Sequence, residues 1–113
     1  MRYLIGVLLL VSLTGGCSGI SYTSKEKAAL GFYIASSFAD FRTTELALDR
    51  GARECNPLLD DHPSDFELVT HQVCSLGLVY LLGEIWPEHR MFFYTTFGAG
   101  HTIAAIHNDG VMR

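Results

Sequence analysis

Two short strings constrain the fold of this 113-residue chain more than anything else in it: Thr23-Ser24-Lys25-Glu26 and Ser64-Asp65-Phe66-Glu67. Each has the Ser/Thr-x-x-Glu form in which hydroxyl and carboxylate reciprocally satisfy amides that a helix leaves unpaired at its start. Trp86-Pro87 marks a third start, because proline fits the first turn of a helix. Gly51 is a C-cap candidate for the first helix. The signals predict helices from about Ser24 to Arg50, from Ser64 to about Ile85 and from Pro87 to about His107, the last ended by Asn108-Asp109-Gly110. No strand-like alternation competes. The expected class is all-α: a small three-helix bundle over residues 24–108, with residues 109–113 as a C-terminal tail.

What surrounds such a bundle depends on composition. Apolar residues make up 49% of the chain and charged residues 18%, which excludes a disordered tail. Eight Lys and Arg against twelve Asp and Glu leave a net charge of −4. That lacks the basic excess a phosphate backbone requires, so no nucleic-acid partner is expected.

The first residues read as an address. Arg2 gives a positive start, Tyr3 to Leu13 an apolar stretch, and Thr14-Gly15-Gly16 a run of small residues before Cys17. This is the layout of a secretory signal. Leu13-Thr14-Gly15-Gly16-Cys17 resembles the lipobox of bacterial lipoproteins, departing from it where Thr14 stands in place of the preferred Leu. The resemblance implies a signal peptide over residues 1–16 and a lipidated linker over 17–23. Cys17 would carry diacylglycerol and palmitate, and no other cofactor is expected. Ser18 in place of Asp points to the outer membrane. The alternative is an uncleaved span, since residues 3–24 carry no charge and are long enough to cross a bilayer. Loss of residues 1–16 would leave seven basic and twelve acidic residues, a net charge of −5.

Helices 2 and 3 have charge-free runs, Leu68 to Gly83 and Met91 to Asn108 with neutral histidines. Both approach the ~17 residues of a short span, so a transmembrane hairpin, and with it an inner-membrane location, is one expectation. Helix 1 carries Asp40, Arg42 and Glu45, each costing about 2.5–3.5 kcal/mol at mid-bilayer, and is not expected to insert alone. Gly31, Ala35 and Ala39, and Gly100 and Ala104, recur every four residues and offer close-packing faces.

The polar residues converge on one stretch. Asp40 and Thr44 share a helix face, as do His101 and Asn108 seven residues apart. Asp40-Phe41-Arg42-Thr43-Thr44, followed by Gly51-Ala52-Arg53-Glu54-Cys55-Asn56-Pro57, is similar to an uncharacterised family of small multi-spanning bacterial membrane proteins. The resemblance spans about residues 30–108. It implies a membrane helical fold, with Asn108 closing the last helix, and no activity.

Asp40, Thr44, Glu54, His101, His107 and Asn108 are therefore the candidate polar or metal cluster. Carboxylate and imidazole are the ligands of divalent metals, although His101 and His107, six apart, point to different faces. No nucleophile elbow, phosphate loop or Cys-x-x-Cys occurs, so no catalytic residue is assigned. The bland reading makes Asp40 a buried hydrogen-bonding residue that sets helix register. Asp49–Arg53 and Arg50–Glu54 read as surface ion pairs, Glu84 as a hydrated helix end beside Trp86, and the acids around His62 as a solvated loop. Cys55 and Cys74 are expected to stay unpaired, Cys74 lying about 14 Å into helix 2.

The function expected is a lipid-anchored or integral helical protein of the bacterial or phage envelope, with a structural or interaction role. Its partners would be membrane lipid and another envelope protein. One alternative is a metal-binding or hydrolytic membrane protein using Asp40, Glu54, His101 and His107. Another is an ion or proton path along Asp40, Glu45, His71 and His101.

Overall fold

A computed structural model describes residues 21–113, so the expected signal segment, Cys17 and Ser18 lie outside the described residues. Three α-helices follow one another: α1 (Ser24–Asp49), α2 (Asp65–Ile85) and α3 (Arg90–Val111). A single 3-10 turn, Pro87–His89, leads into α3. No strand occurs among the described residues, and the three helices pack as a small bundle.

Both capping boxes form. Thr23 Oγ1 accepts from the Glu26 amide at 3.2 Å while the Glu26 carboxylate accepts from the Thr23 amide at 2.7 Å. Ser64 and Glu67 repeat the exchange at 3.3 and 2.7 Å. At the other end of α1, the Gly51 amide reaches Leu48 O at 2.9 Å and the Ala52 amide reaches Ala47 O at 3.0 Å. This is the Schellman closure, and it needs the left-handed φ of +87° that Gly51 adopts.

The end of α3 departs from expectation. The helix runs through Asn108-Asp109-Gly110 to Val111, because the Asn108 side chain is bonded to α1 and is not free to cap its own backbone. The expected surface pairs Asp49–Arg53 and Arg50–Glu54 are likewise absent among the described residues. The helix stops at Asp49, so residues four apart across Gly51 no longer share a face. Arg50 donates to Met112 O at 3.3 Å instead, and Arg53 meets Asp61 at 3.7 Å.

Contacts between α1 and α3 keep a nearly constant offset: Glu26 with Arg90, Tyr33 with Tyr94, Asp40 with His101, Arg50 with Met112. These two helices run parallel. Contacts to α2 run the other way, Tyr22 with Glu84, Tyr33 with Ser75 and Ser37 with Gln72, so α2 is the antiparallel return. The α1–α3 interface is much the largest, and α2 is the loosely held member.

The close-packing faces differ from those expected. Gly31, Ala35, Ala39 and Gly100 are exposed, and a Cβ on Gly31 or Gly100 would meet nothing. The glycines that matter are Gly98, where a Cβ would lie 2.5 Å from Phe32 Cε1, and Gly83, where it would overlap the Tyr94 hydroxyl. Phe32 is 44% exposed and can swing aside, whereas Tyr94 is fully buried. Gly83→Ala should therefore destabilise by about 1–3 kcal/mol and Gly98→Ala by less. Thermal unfolding of the two variants checks the order, and a larger loss at Gly98 would refute it.

Only α2, among the described residues, is both long and apolar enough to cross a membrane by itself, and 17% of its apolar window is buried inside the bundle. The other half of the expected hairpin, α3, falls short. Thr95, Thr96, His101, Thr102, His107 and Asn108 dilute its apolar run.

Candidate functional site

Two polar clusters lie between the helices, one near each end of the α1–α3 interface. The second is the one expected from helical spacing. His101 Nδ1 donates to Asp40 Oδ2 at 2.7 Å. Asn108 Nδ2 donates to Thr44 Oγ1 at 2.9 Å and, at 3.3 Å, to Asp40 Oδ1 and to Thr43 Oγ1. Parallel packing explains the meeting: Asp40 and Thr44 form one row on α1, His101 and Asn108 the matching row on α3. The side chains of Asp40 and His101 keep 20% and 16% of their exposure, so the pair is sheltered without being sealed.

Beside this network opens a cleft of about 450 Å³ between α1, α3, the start of α2 and the 51–64 loop. All six candidate residues, Asp40, Thr44, Glu54, His101, His107 and Asn108, line it. They do not all bond to one another. Glu54 Oε1 accepts from the Cys55 and Asn56 amides, both at 2.9 Å, and so holds its own loop in shape. His107 is exposed. Asn56 caps the turn through the Leu58 amide at 3.0 Å and donates through Nδ2 to His71 Nε2 at 3.2 Å. Glu45, placed on a path with His71 in the sequence reading, pairs with Arg42 at 2.6 Å.

As for metal, no three His, Cys, Asp or Glu side chains stand close enough together to hold an ion among the described residues. Cys55 and Cys74 are both free and exposed. What the arrangement offers is an imidazole oriented by a carboxylate, the geometry of a positioned general base, with several hydrogen-bond acceptors around it.

The first cluster was not legible in the sequence. Arg90 is 1% exposed. Its Nε donates to Gly83 O at 3.0 Å, its Nη2 to Glu84 Oε1 at 3.1 Å, and Nη1 stands 3.9 Å from Glu26. The guanidinium lies 3.9 Å over the Tyr22 ring, a cation–π contact. Tyr22 donates to Glu84 at 2.5 Å, so Tyr94 is the donor in the 2.9 Å bond between the two phenols. Burial, then the bond to Glu84, raises the Tyr22 hydroxyl above the ordinary tyrosine range, and it keeps its proton.

Glu84 is thus an interior partner and not a hydrated helix end, because the turn at Pro87–His89 folds Arg90 back onto it. One signal was available: Arg90 is the sole Lys or Arg between Arg53 and Arg113, and it stands at the head of a charge-free run.

No protein-family model matches this chain, and no curated protein or solved structure matches it either.

Proposed function

We propose that this chain is a membrane-embedded helical protein of the bacterial or phage envelope, with a structural or interaction role, carrying a second attachment through acyl chains on Cys17. One observation carries the reading: polarity is inverted. Arg90 and Ser37 are buried, while Phe66, Leu78, Leu81, Ile85, Phe92, Ile103 and Ile106 are exposed. Among the described residues fifteen large hydrophobics are exposed, an apolar surface of the kind that marks a membrane or partner contact. In lipid those outward side chains are solvated, and inward charges and carboxamides bind the helices to each other.

Dimensions and charge agree. Helices of 26, 21 and 22 residues are about 39, 32 and 33 Å long at 1.5 Å per residue, against a hydrocarbon core near 30 Å. With Arg90 in the interior, Arg42 paired with Glu45 late in α1, and Arg2 in the expected signal segment, Arg50, Arg53 and Arg113 remain at one end and Lys25 and Lys27 at the other. The positive-inside rule favours the first end as cytoplasmic, which leaves Cys17 on the far side, where lipidation occurs. The likeness of Asp40-x-x-Thr43-Thr44 and Gly51-x-x-Glu54-x-Asn56-Pro57 to multi-spanning bacterial membrane proteins supports the same reading.

Alkaline carbonate extraction tests it. Cys17→Ala protein should stay in the membrane pellet, while palmitate labelling and globomycin-sensitive processing are lost. Release of the variant into the supernatant would sink the integral reading; labelling that survives would sink the anchor.

The 2.7 Å Asp40–His101 pair favours one second reading, a metal-binding or hydrolytic membrane protein with Glu54 and His107 at the rim of the same cleft.

A further inference from the structure

The geometry points to the cleft beside Asp40 as a binding site for a small primary ammonium compound with an apolar body. The chain has three carboxamide side chains in all, Asn56, Gln72 and Asn108, and every one of them lines this cleft. So do three of the five histidines, His71, His101 and His107. Such a concentration of hydrogen-bonding groups in a mostly apolar hollow is the usual make-up of a small-molecule site.

The balance of donors and acceptors selects the ligand. Asn108 uses its amide hydrogens on Asp40, Thr43 and Thr44, and Gln72 donates to Ser37, so the carbonyl oxygens of both remain as acceptors. Asp40 accepts one bond on each oxygen, half of what a carboxylate can take. Glu54 engages Oε1 alone, leaving Oε2. Two carboxylates line the cleft, and no Lys or Arg does. An anion is repelled there, and a neutral alcohol supplies one hydrogen where a primary ammonium supplies three.

The walls decide between an organic and a metal cation. Phe41, Leu59, Leu68 and Ile103 line the hollow, and a hydrated metal ion gains nothing from them. A hydrocarbon body gains roughly 0.8 kcal/mol per buried methylene. The shared chemistry is an alkylammonium head, whether on a free amine or on an ethanolamine lipid headgroup. The site stands on the cleft alone and does not require the membrane reading.

The test uses the full chain in detergent, observed through the side-chain NH2 signals of Asn56, Gln72 and Asn108. Titration with n-octylammonium should shift them saturably, while n-octanol and n-octanoate leave them in place. Asp40→Asn should weaken binding about tenfold or more, the worth of a bond to a charged group. Glu54→Gln, which keeps Oε1 for the loop amides, should weaken it less, and carries the test if Asp40→Asn fails to fold. Equal shifts with octanol would overturn the site. So would unchanged amine affinity in the folded variants, or signals that move with Zn2+ alone and not with the amine. In nanodiscs, shifts seen with ethanolamine lipids and not with choline lipids assign the amine to a lipid headgroup; identical spectra assign it to a free amine.

Discussion

Glu84→Ala is expected to cost about 3–5 kcal/mol, the penalty for leaving a buried charge without its partner. Arg90 is 1% exposed and its Nη2 lies 3.1 Å from Glu84, whereas Glu26 stands at 3.9 Å. The substitution therefore removes the nearer carboxylate and, with it, the acceptor of the Tyr22 hydroxyl. Replacing both charges, Glu84→Leu with Arg90→Met, should recover most of the loss, since apolar residues of similar volume often match a buried ion pair. Unfolding followed by circular dichroism in detergent measures both. A Glu84→Ala protein within about 1 kcal/mol of wild type would show that Glu26 suffices as counter-ion.

Asp40→Ala should come second, at about 2–3 kcal/mol, because bonds to a charged acceptor are worth roughly 1.5–3 kcal/mol when buried and this carboxylate retains 20% of its exposure. It accepts from both His101 and Asn108. A cycle of Asp40→Ala, His101→Ala and the double variant should give a coupling of about 1 kcal/mol or more. Additive losses would mean that the pair is not a unit. Metal analysis of the same proteins separates the second functional reading from the first: equal, negligible metal in wild type, Asp40→Ala and His101→Ala would remove its metal version.

The two clusters differ in how far they could be read from sequence, and the reason is periodicity. Asp40 and Thr44, four apart, and His101 and Asn108, seven apart, each fall on one face of a continuous helix, so their alignment follows from 3.6 residues per turn. The capping hydroxyls of Thr23 and Ser64 are equally local and placed the first two helix starts within a residue. Glu84 and Arg90 are separated by the Pro87–His89 turn, across which no helical period carries. Only the three-dimensional path of that turn brings them together. The stripe Gly31-Ala35-Ala39 had the right spacing and the wrong side, since the interface was chosen by Tyr33, Ser36, Asp40, Tyr94 and His101, while Gly100 and Ala104 line the cleft and no neighbour packs closely on Gly100. Gly83 and Gly98, which do meet neighbouring side chains, belong to no stripe.

The parallel pairing of α1 with α3 also bears on how the protein is made. The partner that α1 needs most leaves the ribosome after α2 does. Until α3 emerges, Asp40 has neither His101 nor Asn108, and Glu26 lacks Arg90. Assembly must therefore wait until α3 has been made, and closing a loop of some sixty residues is an entropic cost incurred before those contacts form. A nascent chain stalled before Arg90 would leave Asp40 without His101 and Tyr33 without Tyr94, exposing apolar surface of the kind that makes a folding intermediate prone to aggregate.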